Sequence, residues 1–299
     1  MKKTLILIMS CFFMLAACSN DKADSTQTFE YTDDSGKTLT LNKKPKRIVV
    51  LGYTYAGSVQ QLSGNVVGVD KMVENSAVLK KAFKGTAKIE AGDIEHIREL
   101  NPDLIITFAT DEDMRKLRKI APTVALQYRK QNYLDQHKEL GKILNKEKEA
   151  EAWIRKWRRD NKAYEKEIKS KIGEDKTFAI IREYQDHIYL IGRSYSNGCE
   201  VIYDAFNLKR SDKVKQLTQE KGYKIIEQKD LPDVVSDYNI TTKSSNDVTT
   251  FHDSKTWKSV SESKDKKVIK VNETIYWFND AISLAYQRDD LKEKILNAK

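Results

Sequence analysis

Beyond Pro45 the chain alternates short apolar runs with polar stretches of helical spacing. The runs are Arg47-Ile48-Val49-Val50-Leu51, Val66-Val67-Gly68-Val69, Leu104-Ile105-Ile106-Thr107 and Thr123-Val124-Ala125-Leu126. Such runs read as strands buried on both faces, and their alternation with helices predicts a three-layer α/β unit around a largely parallel sheet. Ahead of them, Phe29-Glu30-Tyr31 and Thr38-Leu39-Thr40-Leu41 flank Asp34-Ser35-Gly36, the pattern of two short strands joined by a turn. From Gly141 to Gly173 the rhythm changes. No glycine or proline interrupts this interval, and Ala150, Trp153, Ile154, Trp157, Tyr164, Ile168 and Ile172 recur at three- and four-residue steps in a charged background. This predicts one long amphipathic helix of roughly 30 residues, about 45 Å. Trp153 and Trp157 suit docking on a globular surface better than the seam of a coiled-coil arm.

A second α/β unit follows. Thr177-Phe178-Ala179-Ile180-Ile181, Ile188-Tyr189-Leu190-Ile191 and Val268-Ile269-Lys270-Val271 read as strands, and Glu200 to Phe206 as a helix. The units echo one another, since Glu95 to Ile106 and Asp230 to Ile240 share a helix-into-strand shape. The expected fold class is α/β, with two α/β lobes joined by one long α-helix and a ligand cleft between the lobes. The expected boundaries are an N-terminal lobe at 29–140, the connecting helix at 141–173 and a C-terminal lobe at 174–299.

The first residues follow a different logic. Lys2 and Lys3 precede an apolar core from Leu5 to Leu15, and Leu15-Ala16-Ala17-Cys18 closes it. This reads as a lipoprotein signal peptide at 1–17, too short for a comfortable membrane span, with Cys18 the lipidated first residue of the mature chain. An ordinary signal peptide with an accidental cysteine is the competing reading. Residues 18–28 are polar and read as a flexible tether. The expected location is therefore the outer face of a bacterial cell membrane, lipid-anchored. Of the three cysteines, Cys11 leaves with the signal and Cys18 is the anchor, so Cys199 has no intrachain partner and is expected to be buried. The formal charge of +9 falls to +7 when Lys2 and Lys3 are cleaved away. Its 53 basic residues are interspersed with 44 acidic ones, unlike the single-sign tract of a nucleic-acid binder; the excess suits anionic lipid or wall polymer better.

Motifs for chemistry are sparse. His96, His137, His187 and His252 stand apart, with no His-Glu-x-x-His or Cys-x-x-Cys spacing, so no metal site is expected. Neither a Gly-x-Ser-x-Gly elbow nor a phosphate-cradling glycine loop occurs. Asp111-Glu112-Asp113 lacks calcium-loop spacing and reads as a solvated helix start. These features favour a binder over an enzyme, with no catalytic residue and no cofactor.

The order of elements, together with Pro45-Lys46-Arg47-Ile48-Val49, the Gly92 to Ile106 segment and a tail carrying Trp257, Val260, Val268, Val271 and Trp277, resembles the siderophore-binding lipoproteins of bacterial ABC iron importers. Thr54-Tyr55-Ala56-Gly57, Ile120-Ala121-Pro122-Thr123-Val124, Gly198 with Glu200 to Phe206, Tyr276-Trp277-Phe278-Asn279-Asp280 and Asp290-Leu291-Lys292-Glu293-Lys294 are similar to the ferric hydroxamate-binding lipoproteins of Gram-positive bacteria. The resemblance implies a monomeric receptor that takes a ferric siderophore, most plausibly a hydroxamate, and delivers it to an ABC permease and its ATPase. Iron would be held by the siderophore's own oxygens, leaving the protein to recognise an outer surface that is part apolar and part carbonyl oxygen. Tyr128, Tyr195 and Trp277 are implied around the cleft. Asn197 stands where the family has an arginine, and Arg193 is the expected replacement donor. Arg182 is the candidate for an anionic complex, the alternative being an ion pair with Glu183 or a neighbouring acid. The other readings kept open are a catecholate or carboxylate siderophore, haem or cobalamin with a tyrosine or histidine axial ligand, and, from other classes, an extracytoplasmic enzyme or an adhesin. Glu95 matches the family's acidic docking position in the first lobe. The second-lobe position is Lys229, so Asp230 is the shifted candidate.

Overall fold

A computed structural model describes residues 27–185, 187–193, 196–242, 251–263 and 265–298. The signal peptide, Cys18 and Tyr195 lie outside the described residues. Strands β1 (Thr28–Thr32) and β2 (Thr38–Asn42) form the expected antiparallel hairpin. Asp33 ties it to the first lobe: its buried carboxylate accepts hydrogen bonds from Arg118 Nη2 at 3.0 Å and from the Ala125 N–H at 3.1 Å.

The first lobe is a five-stranded sheet of β3 (Ile48–Val50), β4 (Val66–Asp70), β5 (Ala87–Ile89), β6 (Leu104–Phe108) and β7 (Thr123–Leu126), in the order β5-β4-β3-β6-β7. Every pair is parallel. Ile48 and Val50 enter one apolar layer and Val49 the other, which is why the run is continuously hydrophobic.

The second lobe contains β8 (Thr177–Tyr184), β9 (His187–Ile191), β10 (Lys209–Arg210), β11 (Tyr223–Ile226), β12 (Tyr238–Thr242) and β13 (Lys267–Val271), with the path β11-β9-β8-β12-β13 and β10 beside β8. This repeats the order of the first lobe with one strand reversed. β9 runs antiparallel to β8 and to β11, while β12 and β13 are parallel to β8. The short connection between Tyr184 and His187 permits only a hairpin, because a parallel neighbour needs a long crossover. β6 and β12 hold equivalent places beside β3 and β8, so the sequence echo corresponds to a structural one. At Glu200–Ala205 the expected helix is a π-helical segment.

The long helix differs from expectation at its start. Two helices occupy the interval, Tyr133–Ile143 and Glu147–Ile172, separated by Asn145 at φ 53°. Gly141 is a crossing contact instead of a boundary: a Cβ there would stand 2.6 Å from Ala150 Cβ and 3.2 Å from the Lys146 carbonyl. Five polar residues, Asn145 to Glu149, interrupt the apolar steps there, and Asn145 tolerates the left-handed region; these are the local signals of the break. The connecting helix therefore has 26 residues, or about 39 Å. Its Ala150 belongs to the first lobe's core and Trp157 and Ile168 to the second's.

A further connection was not foreseen. The C-terminal helix, Ala281–Asn297, packs Leu284, Leu291 and Ile295 into the second lobe, while Phe278 just before it lies in the first lobe's core. Asp280 caps the helix, accepting from the Ile282 and Ser283 N–H groups at 3.0 Å each and from Ser283 Oγ at 2.7 Å. The Ala281 N–H donates to Ser58 Oγ of the first lobe at 3.0 Å. Gly57 admits this seat, since a Cβ there would lie 1.8 Å from Asp280 Oδ1. Burial raises the Asp280 carboxyl above the usual carboxylate range, opposed by the hydrogen bonds it accepts.

Two outcomes are expected. Gly57→Ala forces the Asp280 cap to shift, costing roughly 1–3 kcal/mol as overpacking does, measurable as a lowered thermal midpoint. His137 is buried against Trp153, ring centroids 4.4 Å apart, and neither ring nitrogen has a hydrogen-bond partner among the described residues. Burial pushes its pKa down from 6.5 to about 4. The unfolded chain then binds the extra proton first, so stability present above pH 6.5 is lost as pH falls toward 4, by on the order of 3 kcal/mol in all. Denaturant titrations across that range should show His137→Leu losing less stability on acidification than the parent; equal losses would exclude this role for His137.

Candidate functional site

The carboxyl ends of both sheets face a common cleft, and side chains from both lobes line a cavity of about 100 Å³ within it. Tyr128 and Arg129 come from the first lobe, directly after β7. Arg182, Tyr184, Tyr189, Ile191, Ser196, Asn197 and Trp277 come from the second.

The pleat of the β8–β9 hairpin explains the second wall. Phe178 and Ile180 on β8, with Ile191 on β9, share one apolar core. Further along the same face the period of two brings Arg182 and Tyr184 into the cavity, with Tyr189 opposite Arg182. Residues between them turn the other way: Ile181 and Leu190 pack in the opposite layer, and Glu183 accepts the Phe251 N–H at 3.1 Å. Pairing of Arg182 with Glu183 is thereby excluded. The partner of Arg182 is Glu273, at 2.7 Å from Nη2 to Oε1.

Arg182 is 5% exposed, and its guanidinium carbon stands 4.6 Å from the Tyr184 ring centroid and 4.5 Å from that of Trp277. Its Nε has no hydrogen-bond partner among the described residues. The cation is thus held against two aromatic rings, with Nε buried beside them. On the first lobe, Phe108 stands edge-on to both Tyr53 (5.4 Å) and Tyr128 (5.8 Å). Burial raises the pKa of the Tyr53 hydroxyl, opposed by the nearby Trp277 side chain.

Three sequence candidates, Tyr128, Asn197 and Trp277, therefore meet Arg182 at one cavity. Asn197 is buried at φ 62° and donates its N–H to the Tyr276 carbonyl at 2.7 Å, between Ser196 at φ 58° and Gly198 at φ 85°. Arg193 is not at this cavity. It pairs with Asp204, Nε to Oδ1 at 3.3 Å, beside a separate crevice of about 570 Å³ that also contains Arg158 and Lys162. The turn after β9 points it toward the partly desolvated Asp204 carboxylate. Tyr53, Phe108, Tyr189 and Glu273 went unread in the sequence. For Tyr189 the signal was a polar-tipped aromatic amid strand aliphatics; for Glu273 there was none, as its meeting with Arg182 spans two distant segments.

The docking candidates hold equivalent positions. Glu95 lies exposed in the first turn of the helix Ile94–Glu99 after edge strand β5, within 3.3 Å of Arg98. Asp230 follows edge strand β11, where its carboxylate accepts the Glu227 N–H at 2.9 Å, and Lys229 pairs with Glu227 at 2.7 Å. Cys199 is buried. Asp111 accepts hydrogen bonds from Thr107 Oγ1 and the Asp113 N–H, which shapes the turn before Met114–Leu117. Among the described residues no group of side chains could hold a metal ion, and no helix is long and apolar enough to cross a membrane.

The cavity is smaller than the roughly 300–1,000 Å³ of typical small-molecule sites. It can grip one edge of a larger ligand through the aromatic faces and hydroxyls that line it.

Residues 48–220 match the periplasmic binding protein family. The chain is 34% identical over 295 residues, 94% of its own length and 93% of the relative's, to the iron(3+)-hydroxamate-binding protein FhuD of Bacillus subtilis. Among solved structures, unliganded FhuD2 from Staphylococcus aureus is similar at a TM-score of 0.83 and 38% identity, covering 90% of this chain and 98% of that one. FhuD2 with bound ferrioxamine B gives a TM-score of 0.79 and 37% identity, covering 84% and 98%.

Proposed function

The chain belongs to the periplasmic binding protein family, and from that premise we propose that it is a lipid-anchored extracytoplasmic receptor for ferric hydroxamate siderophores, serving an ABC permease and its ATPase. The observation that carries this reading is the cavity between the lobes, aromatic on both sides with a fixed guanidinium at its floor. A ferric hydroxamate presents methylene chains and ligating oxygens on one surface. Tyr128, Tyr184, Tyr189 and Trp277 suit the first, and the tyrosine hydroxyls suit the second. The iron stays in its own oxygen shell, so the protein needs neither cofactor nor chemistry of its own.

Two connections between the lobes, the helix Glu147–Ile172 and the seat of Asp280 on Gly57 and Ser58, favour small closure over a wide hinge. Glu95 and Asp230, at matching edges of the two sheets, are the proposed contacts for the permease. Cys18 is the proposed anchor, placing the receptor on the outer face of the cell membrane.

Titration of the purified full chain with ferrichrome, followed by tryptophan fluorescence, should show saturable quenching that the iron-free compound does not produce. Trp277→Phe and Tyr128→Ala should each weaken binding about tenfold, the loss of a large aromatic anchor. Absence of saturation with ferric complexes, or turnover of the ligand, would reject the receptor reading. In cells, Glu95→Ala should slow uptake of the iron complex while the purified variant keeps the parent's affinity; weakened affinity would move Glu95 from docking to the cleft.

A further inference from the structure

Arg182 enters the cavity as a desolvated cation, and a buried charge left alone is costly. Glu273 removes that cost. Its side chain is 16% exposed, it stands 2.7 Å from Arg182 Nη2, and its carbonyl accepts the N–H of Trp277 one helical turn on. Glu273 and Trp277 therefore clasp the same guanidinium, one by charge and the other by its ring. Among the described residues the other cation lining the cavity, Arg129, is exposed and screened by solvent. The ion pair at the desolvated floor thus carries no net charge.

We propose that Glu273 is a specificity-determining residue that sets the charge of the ligand: by neutralising Arg182 it makes the cavity select neutral or cationic ferric complexes and reject anionic ones. The inference rests on the receptor reading above and adds a residue and a charge rule to it. An anionic tris-catecholate or citrate complex would need the full charge of Arg182, which Glu273 already takes; a neutral trihydroxamate needs no net charge from the floor, only the rings and polar groups around it.

The test is a titration of the full chain with three probes: neutral ferrichrome, cationic ferrioxamine B and a trianionic ferric tris-catecholate. Glu273→Gln keeps the shape and an acceptor for Arg182 while removing the negative charge. It should raise affinity for the tris-catecholate relative to ferrichrome by about tenfold or more and lower that for ferrioxamine B. Arg182→Gln leaves Glu273 uncompensated and should move both ratios in the opposite direction, which keeps the test decisive should one variant fail to fold. A wild-type preference for the anionic probe, or ratios unchanged in a folded variant that still binds ferrichrome, would overturn the inference and leave the receptor reading standing. Failure of the wild-type chain to bind any of the three would remove both.

Discussion

The carboxylate of Asp280 rests against the α-carbon of Gly57, and the geometry of the whole cleft follows from that contact. It caps the C-terminal helix, seats its first turn on Ser58 of the opposite lobe, and so holds the preceding segment, including Trp277 and Phe278, at the junction of the lobes. Phe278 is fixed in the first lobe's core. Trp277, its neighbour, is thereby presented to Arg182 of the second lobe and to Tyr53 of the first. One buried carboxylate thus positions an aromatic wall that neither lobe could build alone, and the approach is possible only because residue 57 has no side chain.

The second wall depends on a simpler constraint. A strand alternates faces, so β8 sends Phe178 and Ile180 into the core and Arg182 and Tyr184 into the cavity without any change of conformation. The hairpin with β9 adds Tyr189 opposite Arg182. Recognition is built on the continuation of a packed core, which holds the rings and the guanidinium in place before any ligand arrives. Such preorganisation lowers the entropic cost of binding.

The lobes are related by strand order, β5-β4-β3-β6-β7 and β11-β9-β8-β12-β13, with β9 reversed. The reversal gives the second lobe a two-stranded ribbon at the cleft, and that ribbon carries four of the cavity residues described above, Arg182, Tyr184, Tyr189 and Ile191. The equivalent edge of the first lobe is parallel throughout and supplies its aromatics, Tyr53, Phe108 and Tyr128, from the carboxyl ends of β3, β6 and β7 instead.

Local regularities were legible in the residues themselves. Continuous apolar runs announced the buried strands, the turn at Asp34-Ser35-Gly36 announced the hairpin, and the apolar stripe through Trp157 and Ile168 announced a helix spanning two cores. These are consequences of period and burial acting within ten or twenty residues. The family resemblance of the chain was equally readable, and with it Tyr128, Asn197 and Trp277 at the cavity. Contacts between distant segments were not: the seat of Asp280 on Gly57, the departure of Arg193 toward Asp204, and the choice of Glu273 over the adjacent Glu183 as partner of Arg182. In each case the deciding quantity was a distance in space between groups far apart in the chain or a direction set by the pleat. Sequence order determined which charges and rings this protein has; packing decided which of them meet.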